Sequence, residues 1–518
     1  MLRFWKTTHA SILMRTSGIH TACVAALLVG GLSTLCSART GTPIKEDSDV
    51  LKELKAPLSS GSQWQPPDLR KFGGELTAQK EPEADAQKVY ELDELVDLAE
   101  RINPETEAAW ERDRQAASSV GLAQSDYYPV LALQAAANDA REPAPLPVSP
   151  TKAGFMDVEV QEASPIATLD WVLLDFGRRK AGVRAAKYQL LAANLGFNAR
   201  HQEIVFKVQS AFYQLCTARG RIDVAQSSLD SALKVQEAAE ERYKQGLATA
   251  PDVSQARQQA AQAAFDIEAV QVEERDARVS LAEAIGITPT TPFQVEDFSR
   301  LPMPTNLEDS VEMVIDRSLE QRPDLMAKVA ILREKEADIR RARAAYYPTL
   351  SFQGAAGGAF ERSGISVDGQ KLPWASTQQP TWGVGLALSW SLFDGGARKR
   401  KLEIAKSEHD AAQHELDDSR DKAISQVWQY YSDTKLAIRR LEVAAALLEA
   451  SEKSYEQTLE SYQNGLSSLV DLLAARRELS QARYTQLDTR ATVLQSTAAL
   501  AFASGDLGPQ LLNRNRKK

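Results

Sequence analysis

The side chains of this 518-residue chain that could do chemistry fall into two groups, scattered and patterned. The histidines are scattered. His9 and His20 lie near the N-terminus, His201 stands alone in a helical pattern, and His409 and His414 are five apart, a spacing that puts two ligands on different helix faces. Of three cysteines, Cys23 and Cys36 are N-terminal and only Cys216 lies in the body, so there is no CxxC pair. Sparse cysteine suits an exported protein that avoids spare thiols. No Ser-His-Asp logic and no phosphate loop are present. The expectation is therefore no catalytic residue, no metal and no cofactor. A net charge of −9 and a pI near 5.4 argue against nucleic acid as a partner.

The patterned group is a tyrosine, a glycine and an aspartate. Tyr243, Gly246 and Asp252 recur as Tyr462, Gly465 and Asp471, each 219 residues on. An aspartate just past a glycine turn suits the first turn of a helix, where a carboxylate meets free N–H groups and the positive end of the dipole. The offset extends well beyond the turns. Pro104 pairs with Pro323, Tyr127-Tyr128-Pro129 with Tyr346-Tyr347-Pro348, Trp171 with Trp390, Asp175 with Asp394, Arg179 with Arg398 and Gly286 with Gly505. The chain is one unit written twice.

The elements that position these residues follow in order. Arg3, Lys6 and Arg15 precede an apolar run from Ala22 to Leu35, and Cys36-Ser37-Ala38 supplies small residues for a cut before Arg39. Residues 1–38 read as a secretory signal; Leu35 before Cys36 disfavours lipid attachment there. Residues 39–88 read as an extended arm. The repeats are assigned to 89–286 and 307–505, with a connector at 287–306 and a tail at 506–518. Each repeat opens with a short helix and then a helix started by Pro104 or Pro323 and ended before Pro129 or Pro348.

The period then changes. From Trp382 to Leu392 large apolar residues alternate with Gly, Ala or Ser, and tryptophans stand near both ends, as in a membrane β-barrel strand with interfacial aromatics. The twin, Ala163 to Leu174, keeps Trp171 in step but contains Pro165 and Asp170. Weaker strands are expected at 130–137 and 349–356, with long Pro/Gly-rich loops at 138–162 and 357–381. The intervals Asp175 to Gly246 and Asp394 to Gly465 contain no proline, so each reads as one helix about 105 Å long, followed by a return helix with Ala on its inner face. Cations crowd both helix starts: Arg178, Arg179, Lys180, Arg184 and Lys187, then Arg398, Lys399, Arg400 and Lys401. They oppose the macrodipole, so something must offset them; phosphate headgroups, the lining of a lumen below the barrel or plain solvation would each do. Two strands per repeat make four per chain, and four strands cannot close a barrel. Two copies would give eight strands and three would give twelve. A plain periplasmic coiled-coil scaffold with soluble hairpins is the alternative.

The order of elements, together with Ser391-Leu392-Phe393-Asp394-Gly395-Gly396 and Tyr462-x-x-Gly465 with Val470-Asp471-Leu472-Leu473, resembles the outer membrane factors, the TolC-like exit ducts of bacterial efflux and type I secretion. The resemblance spans about 90 to 505. It implies a mainly α fold with a membrane β-barrel part: a homotrimer whose tandem repeats form a long α-helical barrel and contribute four strands per chain to a twelve-stranded barrel in outer-membrane lipid. It further implies a passive duct with helices in the periplasm, a periplasmic adaptor (membrane fusion) protein docked at the turns, and an inner-membrane pump behind it. By position, Tyr462 matches a tyrosine that ties the closed tip and Asp252 its partner carboxylate, while Asp471 matches the first of two constriction aspartates. Two positions depart: the second aspartate is Ala474, and an arginine of the prototype's lock is Ser467. Three copies of Asp471 at a narrow point would attract cations. The second turn is expected to move and the first, stiffened by Pro251, to stay.

Overall fold

A computed structural model describes residues 85, 87–145, 155–296, 303, 304, 307, 310–367 and 370–507. The signal, nearly all of the arm and the tail beyond Leu507 lie outside the described residues. The elements run β1 (Val89–Tyr90), α1 (Leu92–Ile102), α2 (Pro104–Ser125), β2 (Val130–Pro145), β3 (Phe155–Leu174), α3 (Arg178–Lys244) and α4 (Ala250–Ile285). After β4 (Gln294–Val295) the series repeats: α5 (Val311–Gln321), α6 (Pro323–Ala344), β5 (Thr349–Val367), β6 (Gln370–Lys371), β7 (Ala375–Ser389), α7 (Ala397–Gln463) and α8 (Leu469–Ser504).

The long helices α3 and α7 each span 67 residues, about 100 Å at 1.5 Å per residue. Each folds back onto its return helix, and α8 and α6 of the second repeat also pack on α3 of the first. Alanine on the facing surfaces (Ala256, Ala260 and Ala263 on α4; Ala482 and Ala491 on α8) is buried and lets the backbones approach. The larger apolar side chains gather midway. Leu95, Val208 and Leu281 lie in one cluster, and their partners at the 219 offset, Val314, Val427 and Leu500, lie in another. The short β1 pairs parallel with β4, so the connector between repeats is tied into the first cluster through Phe293 and Val295. Leu507, assigned to the tail, is buried there as well.

Each return helix ends on a left-handed glycine, Gly286 (φ 92°) or Gly505 (φ 79°). The start of α2 or α6 presses against it. A Cβ on Gly286 would sit 3.0 Å from Asn103 Cα, while Asn103 Nδ2 donates to the Ala284 carbonyl at 2.9 Å. In the second repeat Arg322 takes the place of Asn103, donating to the Ala503 carbonyl and to Gln426, and pairing with Asp324 at 2.8 Å.

The sheet runs β2-β3-β5-β7, all antiparallel, with the small β6 on the end of β5; β3 and β5 join the two repeats. Its register explains why Asp170 does not spoil the pattern. Leu131, Leu169, Gly354 and Val384 form one row across four strands, and Trp171, Phe352 and Leu386 form another. Asp170 pairs with Gln353, beside Gly385 on the opposite face. One face is thus a continuous apolar band, with Trp382 79% and Leu388 69% exposed. From Trp382 to Trp390 the band runs about 26 Å along the strand, close to the roughly 9–11 residues a tilted strand needs to cross a bilayer's apolar core.

The expected loops at 138–162 and 357–381 are largely strand. The four strands run 16, 20, 19 and 15 residues, and their outer halves are polar, with Arg141 paired to Asp157 at 2.6 Å. Pro and Gly there read as breakers, but the ladder accommodates them. Pro143, Pro145 and Pro380 sit on the strands at the two sides of the sheet, where a missing N–H is tolerated. Pro165 falls between the paired positions Ala163 and Ile166, and Gly357, which pairs with Ile166, leaves room for the Pro165 carbonyl.

Gly286→Ala is expected to cost about 1–3 kcal/mol through left-handed strain and the contact with Asn103. Gly177→Ala should cost less, because Gly177 shares the strain (φ 90°) but has open space around it. Melting of the detergent-solubilised protein compares the two.

Candidate functional site

The two helical tips are built alike. At the end of α3, Gly246 N–H donates to the Tyr243 carbonyl at 2.9 Å and Leu247 N–H to the Arg242 carbonyl at 2.8 Å. At the end of α7, Gly465 and Leu466 make the same bonds to Tyr462 and Ser461 at 3.0 and 2.8 Å. This paired closure requires a left-handed residue, and Gly246 (φ 73°) and Gly465 (φ 79°) supply it. The next helix then starts from a capping box. Asp252 Oδ2 accepts from Thr249 N–H at 2.8 Å and from its hydroxyl at 2.7 Å. Asp471 Oδ2 accepts from Ser468 N–H at 3.2 Å and its hydroxyl at 2.6 Å, with Ser467 Oγ 3.5 Å away. Both aspartates are first-turn acids, as their spacing predicts. The bonds from Thr249 and Ser468 hold both carboxyls below the usual range.

The two tyrosines differ. Tyr243 is half exposed, whereas Tyr462 is buried with Leu469, Leu472 and Leu473, and burial pushes its phenol up. The structure does not join Tyr462 to Asp252. The Tyr462 hydroxyl has no hydrogen-bond partner among the described residues, and Asp252 is spent on its cap. Arg242 makes the link across the tips instead. Its guanidinium lies over the Tyr462 ring, 4.9 Å from the centroid, donates to the Tyr462 carbonyl and reaches the Leu247 carbonyl at 3.4 Å. Comparing the repeats could not find Arg242, because its position at the 219 offset is Ser461. Its one sequence signal is the position, one residue before Tyr243.

At the other end of the long helices a second device appears twice. Asp175 Oδ1 accepts from Gly177 N–H, and Oδ2 from Arg179 N–H at 2.8 Å and its Nε at 3.0 Å. Arg179 also stacks on Tyr127 and donates to the Val172 carbonyl at 2.6 Å. Asp394, Gly396, Arg398 and Tyr346 repeat the arrangement, with Arg398 Nε 2.8 Å from Asp394 Oδ2. Two of the crowded cations, Arg179 and Arg398, therefore face neither headgroups nor solvent. They are clasped to the carboxylate that offsets the dipole. Trp171 and Trp390 belong to the same joint, their indole N–H groups donating to the Tyr127 and Tyr346 carbonyls at 2.9 and 3.1 Å, while Trp382 stands free on the apolar face. Among the described residues no group of His, Cys, Asp and Glu is arranged to hold a metal, and no helix is long and apolar enough to cross a membrane.

The sequence profile described as outer membrane efflux protein matches residues 95–287 and 314–506, two segments offset by the same 219 residues. Protein CyaE of Bordetella pertussis is 28% identical over 358 residues, which cover 69% of this chain and 71% of that one. Outer membrane protein OprJ of Pseudomonas aeruginosa is 28% identical over 329 residues, covering 62% and 64%. Among solved structures, the Campylobacter jejuni CmeC outer membrane channel superposes with a TM-score of 0.68 at 20% identity, over 90% of this chain and 96% of that one.

A carboxyl depressed in the folded state contributes stability that is full above its unfolded pKa and lost as pH falls through the folded one. Replacing both Asp252 and Asp471 by Asn should therefore lower the melting temperature from about pH 5 upward, and the difference should shrink as pH falls below the ordinary aspartate value of about 3.9. A pH series of melts on both proteins reads this.

Proposed function

The chain belongs to the outer membrane efflux protein family, and from that premise we propose that it works as a homotrimer whose helical tips are a gate docked by a periplasmic adaptor. It is the outer-membrane exit duct of an efflux or secretion system, conducting passively to the exterior. The observation that carries the oligomer is the sheet: an apolar face across four strands, with no described strand pairing the far sides of β2 and β7. Unpaired strand edges are not tolerated in lipid, and β7 of one copy beside β2 of the next removes every edge. Three copies give twelve strands and an open lumen.

The helices favour the same assembly. Phe265, Val272 and Val279 form an exposed seven-residue stripe on α4, and Leu436, Val443 and Leu447 form one on α7. Phe265 and Leu447 lie about 19 and 18 residues from their tip glycines, so antiparallel packing of α4 on a neighbour's α7 brings the stripes together at one height. A soluble scaffold gives the apolar band nothing to face.

The tips carry the gate reading through Arg242 and Tyr462. The contact joins the first hairpin to the second and takes the place of the lock arginine missing at Ser467. Exposed Leu247, Leu466 and Val470 rim the turns and offer an adaptor apolar contacts beside Asp252 and Asp471. The adaptor in turn links the duct to an inner-membrane pump. Trp171, Trp382 and Trp390 mark the edges of the bilayer.

Outer-membrane fractions should contain detergent-resistant trimers that heat converts to monomers, with low conductance in planar bilayers; a soluble, non-conducting rod would rule the duct out. Val443→Glu should weaken the trimer. Arg242→Ala should raise conductance of the isolated channel by about tenfold, the worth of one charge-assisted bond with a cation–π contact. An unchanged conductance would remove Arg242 from the gate.

A further inference from the structure

The two hairpins carry the same arginine five residues past the capping aspartate, in opposite circumstances. On α4, Arg257 is exposed, and its Nε lies 2.9 Å from Glu240 Oε1, which also accepts from Gln236 at 3.1 Å. At the 219 offset the three residues are Arg476, Leu459 and Tyr455. The carboxylate has become a leucine. Arg476 is only 7% exposed, and Leu472, Leu473 and Leu479, one turn away on α8, belong to the apolar cluster that also holds Tyr455 and has Leu459 against it. Arg476 Nη2 donates to the amide oxygen of Gln259 on α4 at 2.8 Å, and its Nε has no partner. Among the described residues no carboxylate comes within salt-bridge distance of Arg476. The charged and titratable groups that bear on it are Tyr455, Arg477 and Asp266, and burial lowers its affinity for the proton without discharging it.

We infer that Arg476 is a positioning residue of the tip that holds the closed second hairpin under electrostatic load, released when α8 parts from the first hairpin, from α3 on which it packs and from Gln259 on α4. A guanidinium taken out of water against one neutral amide recovers less than it loses, because a buried charge without a counter-charge is strongly unfavourable. Parting the hairpins returns it to water. The first hairpin carries no such load, since Glu240 neutralises Arg257 at the surface. The bias to open therefore sits in the second hairpin, while Arg242 on the first holds it closed. The inference rests on the reading of the tips as a gate.

The test uses the full-length trimer in detergent and in planar bilayers. Arg476→Met removes the load, and Leu459→Glu neutralises it by supplying the carboxylate that Glu240 gives Arg257. Each should raise the melting temperature and lower open probability by about tenfold or more. Arg476→Lys keeps the charge and should leave both near the starting values. In the Arg476→Met background Leu459→Glu should lose its benefit, because the new carboxylate then has no cation. A lower melting temperature or a higher open probability for Arg476→Met would show that the bond to Gln259 is a clasp and overturn the inference. So would an effect of Leu459→Glu that is the same with and without Arg476, or failure of both single variants to assemble. If melting rises as expected while open probability stays flat, the load stands and the gate reading fails.

Discussion

Lipid offers no hydrogen bonds, and every other feature of this chain follows from that. On the proposed reading a four-stranded sheet with an apolar face completes its ladder through other copies, and among the described residues β2 and β7 are the outermost long strands of that sheet. Because β3 and β5 already join the two repeats, each copy brings one continuous piece of wall with two unsatisfied edges. The long helices inherit their arrangement from this. They leave the sheet at fixed places, so on the proposed reading side-by-side hairpins below a closed ring of strands form a ring themselves.

Internal duplication was the most legible feature of the sequence. It gave the element order, the paired helices, the glycine turns and the capping aspartates, because each depends on a local rule that one residue type obeys: left-handed glycine, proline at a helix start, an acid in the first turn. The apolar strand was readable for the same reason, since its alternation is a property of the pleat. What stayed hidden depends on pairing. The outer halves of the strands looked like loops because their Pro, Gly and charged residues have poor strand propensity, and only the neighbouring strands hold them. Arg179 and Arg398 looked like free cations because their stacking partners, Tyr127 and Tyr346, lie some fifty residues away.

At the tips, departures from the repeat carried the most information. A position at which both repeats agree reports what a helical hairpin needs, and a position at which they disagree reports what distinguishes one hairpin from the other. Arg242 against Ser461, Glu240 against Leu459 and Gln236 against Tyr455 all fall within the last turns before the glycines. The middle clusters keep some apolar pairs, Leu95 against Val314 and Val208 against Val427, but they too diverge, with Leu98 against Arg317 and Leu215 against Thr434.

The clasps of Asp175 with Arg179 and Asp394 with Arg398 have a mechanical meaning. They fix the angle at which a rod about 100 Å long leaves the wall. A rotation of only about 3° at that joint would carry the far end of the rod roughly 5 Å sideways, so the hairpin is a lever whose fulcrum is a single ion pair. Stiffness at the fulcrum sets how far the end of the rod can swing, and each copy carries the clasp twice.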